Sequence, residues 1–160
     1  MEIIDYQNKY QPDFRRLNLE WLDKFNLTES HDLEILDDPE GTIIKSGGYI
    51  FLAKENENII GTVGLWKENN NEYELVKMAV DPKHRGKGIS KLLLNYCLQK
   101  AITLHAKKIF LYSNSQLKTA LKLYEKYGFQ YIDTTGSPFL TADIKMELVL
   151  NNMQDLKSFS

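Results

Sequence analysis

The chain has 160 residues, a formal net charge of −2, 42% hydrophobic and 26% charged content, three histidines and one cysteine. These values suit a single soluble domain with a full core, and they show no face-wide excess of Lys and Arg of the kind that marks a nucleic-acid or membrane partner. Cys97, alone, excludes an intrachain disulfide and a CxxC-type metal site. MEIIDYQNKYQPDF lacks the features of a secretory leader, so a reducing cytoplasm is the expected home.

Met1 to Tyr6 is short and β-capable. Pro12 to Asn26 carries Phe14, Leu17, Trp21, Leu22 and Phe25 at helical spacing, and a second short helix fits Ser30 to Leu36. GGYIFLAKE, NENIIGTVGLWK and NNNEYELVKMAV are β-type runs separated by ENEN and ENNNE, turn compositions short enough to force an antiparallel meander. In the third run, period-two alternation puts Glu72, Glu74, Val76, Met78 and Val80 on one face. Ile89, Leu92, Leu93, Tyr96, Cys97, Ala101 and Leu104 then form a helical stripe. KKIFLYS is a strand, Gln116 to Tyr127 a helix ended by Gly128, and GFQYIDT and ADIKMELVL are the last strands. A polar tail at 151–160 is expected to be disordered. The order β–α–α–βββ–α–β–α–β–β predicts an α/β (α+β) domain. Its central sheet is mixed and mostly antiparallel, of about six or seven strands, with helices on both faces.

Positive charge gathers where the third meander strand meets the long helix. Lys83, His84, Arg85 and Lys87 stand among Gly86, Gly88, Ile89 and Ser90 in VDPKHRGKGIS. A helix start offers unpaired N–H groups and the positive end of a dipole, and glycine lets an anion approach them. Neither GxxxxGK[ST] nor GxGxxG is present, because Lys91 stands three places after Gly88. Read alone, the loop fits a phosphate site and a flexible turn with solvated charges about equally.

VDPKHRGKGIS resembles the acetyl-CoA loop of the GCN5-related N-acetyltransferase (GNAT) superfamily, whose pattern is Gln/Arg-x-x-Gly-x-Gly/Ala. Arg85, Gly88 and Ser90 occupy those positions, with serine in place of the usual glycine or alanine. LYSNSQLKTALKLYEKYGF resembles the family's later segment through Asn114, Tyr124, Gly128 and Phe129. The resemblance runs from Tyr49 to Val149 and is weak over the first forty residues. It implies one acetyltransferase domain over 1–150 that uses acetyl-CoA and no metal. Residues 83 to 90 would hold the coenzyme pyrophosphate. The loop-bearing strand would splay from its neighbour, so that the backbone of Met78, Ala79 and Val80 takes the pantetheine arm.

Acetyl transfer to an amine requires loss of an ammonium proton, stabilisation of an oxyanion and protonation of a thiolate. Glu74 is the candidate base, since a carboxylate leading into an apolar face is desolvated; a solvated strand-start glutamate is the bland reading. Tyr124 corresponds to the family's general acid, against a plain packing role. Asn114 would contact the coenzyme, against a turn-forming role. Cys97 reads as a buried structural thiol, and Trp21, Trp66 and Phe51 as core. The resemblance implies an N-acetyltransferase acting on a primary amine of a small molecule by direct attack in a ternary complex. A protein or peptide acceptor and a coenzyme A-binding regulatory module without turnover are the alternatives. The expected partners are acetyl-CoA and the amine, with neither nucleic acid nor membrane, and a homodimer is left open.

Overall fold

The computed structural model describes residues 1–150; the tail expected at 151–160 lies outside the described residues. Seven strands and four α-helices follow the expected order: β1 Glu2–Asp5, α1 Gln11–Lys24, α2 Ser30–Asp37, β2 Tyr49–Glu55, β3 Asn58–Lys67, β4 Glu72–Val80, α3 Ile89–Thr103, β5 Lys108–Ser113, α4 Lys118–Lys126, β6 Gln130–Ile132 and β7 Ile144–Val149. A π-helical turn at Glu40–Ile44, absent from the expected elements, buries Ile43.

The strands form one sheet in the order β1-β2-β3-β4-β5-β7-β6. Every pairing is antiparallel except β4 with β5, the two joined through α3. The two faces carry separate cores. Phe14 and Leu17 of α1 and Ile35 and Leu36 of α2 pack with Ile50, Leu52, Val76 and Ala79 on one face. On the other, Leu93, Leu94, Cys97 and Leu98 of α3 and Leu121 and Tyr124 of α4 pack with Val63, Leu65, Leu75 and Ile109. At about 25 cal/mol per Å² of apolar surface removed from water, these layers are the main stabilising term.

Two details depart from the sequence patterns. The buried stripe of α3 is Ile89, Leu93, Leu94, Cys97, Leu98 and Ala101, while Leu92 and Tyr96 stay exposed. Apolar residues surround most of this helix, so periodicity alone does not fix its angle about the axis. The second departure matters more for function. The alternation expected along β4 breaks at Lys77, whose backbone is left-handed at φ +54°. Thr62 faces Ala79 and Gly64 faces Val76, so Lys77 and Met78 together stand opposite Val63. This β-bulge adds a residue and reverses the faces beyond it. Val76 lies in the α1 core, whereas Met78 and Val80 join the α3 core, so the five alternating residues do not share one face.

Candidate active site

The parallel pairing of β4 and β5 stops after three residue pairs, at Glu74 with Phe110. From there the strands part. The resulting cleft is a cavity of ≈ 580 Å³ with Leu75–Val80 on one wall and Leu111–Asn114 on the other.

One end of the cleft is the loop into α3. Gly88 is the N-cap of α3 with φ +80°, and Gly86 has φ +78°. Both are left-handed conformations that glycine adopts without steric cost. A Cβ built on either would meet nothing within 4 Å, so open space surrounds the loop at both glycines. That geometry fits a phosphate group. His84, Arg85, Gly86, Gly88, Ile89 and Ser90 line the cavity, and so does Lys91, which the sequence reading did not single out. Lys83 and Lys87 are exposed and lie outside the lining. The Arg85 guanidinium stacks on Trp21 at 4.8 Å from the ring centroid, and its Nε donates to Val80 O at 3.2 Å. Trp21 is therefore a wall of the site as well as a packing residue. His84 turns Nε2 towards Glu55, 3.1 Å away.

The middle of the cleft carries the two candidate catalytic groups. Glu74 sits between this cavity and a smaller one of ≈ 300 Å³ that also contacts Glu68, Lys145 and Glu147. Burial pushes its pKa up to about 7; Lys77 and Lys145 oppose the rise and Glu68 adds to it. A carboxyl group so placed exchanges protons near neutrality. Tyr124, on α4, is buried against the cavity and tilted on Phe129, ring centroids 5.7 Å apart. Burial, with Cys97 nearby, drives the phenol's pKa well above its usual range, so it carries its proton at every working pH. Burial also raises the Cys97 thiol, which makes it a poor nucleophile.

The other end is bordered by the segment between β6 and β7, of which Phe139, Thr141 and Ala142 line the cavity. Two straps hold it. Glu29, the N-cap of α2, accepts from Leu140 N at 2.8 Å, Thr141 N at 2.9 Å and the Thr141 hydroxyl. Burial would raise this carboxyl, but the Thr141 and Leu140 hydrogen bonds prevail and hold it below the usual range. From the other side Asn114 Nδ2 donates to Thr141 O at 2.6 Å, and Ser115 donates through its N–H and hydroxyl to Asp143. Asn114 thus lines the cleft with its Nδ2 bonded to this segment and its Oδ1 accepting from Gln116 N at 2.9 Å. Beneath lies the ion pair of Lys77 with Asp32, its two side chains 7% and 3% exposed, with Nζ also 5.4 Å from the Phe139 ring. His31 stacks on Trp66 and meets Phe139 edge-on.

The structure brings Met78, Ala79, Val80, Asn114 and Tyr124 to one cavity with Glu74 and the glycine loop. Asp32, Lys77 and Phe139 were not foreseen. An Asp within a helix, a Lys on a strand and a Phe in a loop carry no local signal of their meeting. No group of three or more His, Cys, Asp or Glu able to hold a metal occurs among the described residues, and no described helix is long and apolar enough to cross a membrane.

A family model described as the acetyltransferase (GNAT) family matches residues 6–129. The human N-acetylaspartate synthetase is 33% identical over 87 residues, covering 54% of this chain and 29% of that protein. The chain thus spans about a third of the length of that relative. Among solved structures, an acetyltransferase of the GNAT family from Staphylococcus aureus Mu50 superposes with a TM-score of 0.85 at 27% identity, over 93% of this chain and 98% of that one. The PaiA N-acetyltransferase of Thermoplasma acidophilum, in complex with coenzyme A, has the same fold at a TM-score of 0.73 and 20% identity, over 92% and 98% of the two chains.

Proposed function

The chain belongs to the GNAT family of acetyltransferases, and from that premise we propose that it transfers an acetyl group from acetyl-CoA to a primary amine of a small molecule. The observation that carries this reading is the parting of β4 and β5 after Glu74, with an open helix-N-terminal glycine loop at one end and two proton-handling groups at the middle. Gly86, Gly88 and the first N–H groups of α3 hold the pyrophosphate, and the free backbone of Leu75–Val80 takes the pantetheine arm. Arg85 is pre-positioned by Trp21, and Lys83 and Lys87 at the rim draw the anion in.

Glu74 takes the proton of the incoming ammonium, directly or through water, into the smaller cavity it also borders. The amine nitrogen then bonds to the acetyl carbon and the carbon–sulfur bond breaks. Tyr124 donates its proton to the departing sulfur, the second proton of the nitrogen returns to the tyrosinate through water, and Glu74 releases the first to solvent, which leaves the amide, the thiol and one free proton. A small acceptor is favoured over an extended polypeptide because the 139–142 segment that borders the acceptor end is strapped on both sides. The name of the human relative, N-acetylaspartate synthetase, likewise points to a small acylated amine.

The test is thiol release from acetyl-CoA across a panel of amino acids, polyamines, aminoglycosides and peptides. Saturable turnover with at least one small amine, exceeding that with peptides, is expected. Tight coenzyme A binding with no turnover on any acceptor would overturn the enzymatic reading, and preference for peptides would overturn the acceptor class.

A further inference from the structure

Among the described residues, three polar side chains are almost wholly withdrawn from water: Asn18 at 2%, Asp32 at 2% and Thr62 at 0% exposure. They come from α1, α2 and β3, and they converge on one residue. The Thr62 hydroxyl donates to the Lys77 carbonyl at 2.8 Å. Asn18 Nδ2 donates to that hydroxyl oxygen at 3.0 Å and to Phe14 O at 2.8 Å. Asp32 accepts from Lys77 Nζ with one oxygen and from Glu29 N at 2.9 Å with the other. Lys77 is the bulge residue, held at φ +54°. A residue with a Cβ keeps such a conformation only where its surroundings over-determine it, and here they grip both its main chain and its side chain.

We infer that Asn18, Thr62 and Asp32 are positioning residues for acyl transfer, acting together to fix the β4 bulge at Lys77. The inference rests on the acetyltransferase reading of the cleft. Beyond Glu74, β4 has lost its β5 partner, so backbone groups on that edge, apart from those already bonded such as Val80 O, are available to a ligand. Which of them face the cleft depends on the extra residue, because a one-residue slip exchanges the two sides of a strand. The bulge places Met78 and Val80 on the side of α3 and Tyr124 while leaving Val76 on the side of α1. A β4 without the bulge would offer other groups, displaced from both Glu74 and the glycine loop. Asp32 adds a second effect. It links the bulge to Glu29, which holds the acceptor-side segment, so both halves of the reacting pair are referred to one point.

The test compares Thr62→Val, which keeps the shape and loses the hydroxyl, with Thr62→Ser, which restores it. We expect Thr62→Val to lower kcat about tenfold or more, as sub-ångström to ångström misplacement does. Coenzyme A affinity should fall by less than kcat, since the phosphate loop lies outside the network and only the pantetheine contacts on β4 lie within it. Amide exchange should quicken at 76–80 but not in β2. Thr62→Ser should recover kcat to within about threefold. An unchanged kcat in the valine variant, or a serine variant as slow as it, overturns the inference. If Thr62→Val does not fold, Asp32→Asn replaces it, since its amide oxygen still accepts from Glu29 N. The expectation is then about a tenfold fall in kcat with a smaller fall in coenzyme A affinity, and an unchanged kcat overturns it. Should the wild-type protein turn over no amine, the functional proposal fails and exchange decides alone. Acceleration confined to 76–80 supports positioning, and its absence or uniform spread refutes it.

Discussion

The two ends of the cleft are built on opposite plans. At the coenzyme end, two left-handed glycines and the start of α3 make the site from main-chain atoms close in sequence. At the acceptor end, residues as far apart as Glu29 and Thr141, or Asp32 and Lys77, make the walls from side chains joined across the fold. A backbone site keeps its shape when its side chains change and fails when chain geometry changes. A side-chain network behaves in the reverse way, and losing one member leaves another buried and unsatisfied.

The largest contrast is expected in stability. Asp32→Ala strands the Lys77 ammonium in an almost dry site and should cost about 3–5 kcal/mol, read from denaturant unfolding. The double variant Asp32→Ala/Lys77→Met should regain much of that, because a buried ion pair contributes little more than apolar packing. Equal destabilisation in both would mean that packing, and not the stranded charge, dominates this end.

Next comes Tyr124, the proposed proton donor between the two ends. Tyr124→Phe keeps the ring and its contact with Phe129, so turnover should fall about 10²-fold while coenzyme A affinity stays within about threefold. Full activity would make Tyr124 a packing residue. At the coenzyme end, Arg85→Ala should weaken coenzyme A binding by about 1.5–3 kcal/mol, as expected for a charge-assisted hydrogen bond. Binding of pantetheine fragments without the pyrophosphate should hardly change. A matching loss for both ligands would assign Arg85 to supporting Trp21 and Val80 O, its observed partners.

The smallest effect is a pH dependence. With the folded-state pKa of Glu74 raised to about 7, kcat should climb with pH through about 7, and Glu74→Gln should flatten that limb and lower turnover by about tenfold at pH 8. Stability runs the other way. Between the unfolded carboxyl value and about 7 the native state binds more protons than the unfolded one, so this group's contribution is present at low pH and is lost as pH rises through 7. Glu74→Gln should therefore raise Tm more at pH 8 than at pH 5. Equal shifts at both would show a carboxyl that titrates normally.

This division also explains what the sequence reveals. Element order, the parallel β4–β5 pair and the glycine loop are local or nearest-neighbour features, written in periodicity and in Gly86 and Gly88. Glu74 is legible because a carboxylate stands at the head of an apolar strand. The bulge at Lys77 is not, since it needs Thr62 and Asn18, 15 and 59 positions away, to hold it. Nor is the seat of Trp21 under Arg85, because an aromatic on a helix stripe looks the same whether it faces a core or a cleft. The α3 stripe was misplaced at Leu92 and Tyr96 because Leu94 and Leu98 compete for the same face.

The early end of the β4–β5 pairing has a consequence for solubility. Among the described residues, three residue pairs are the only strand-to-strand link between the four-stranded and three-stranded parts of the sheet. Past them the free protein carries two inward-facing strand edges, and unpaired edges are templates for self-association. Natural β-proteins guard outer edges with charge, proline or short strands; here the guard for the inner pair would be the coenzyme itself, lying where a strand is missing. Heating the protein with saturating coenzyme A should suppress concentration-dependent aggregation more than the accompanying rise in Tm explains. Coenzyme supply would then govern how much of this protein stays folded and unaggregated.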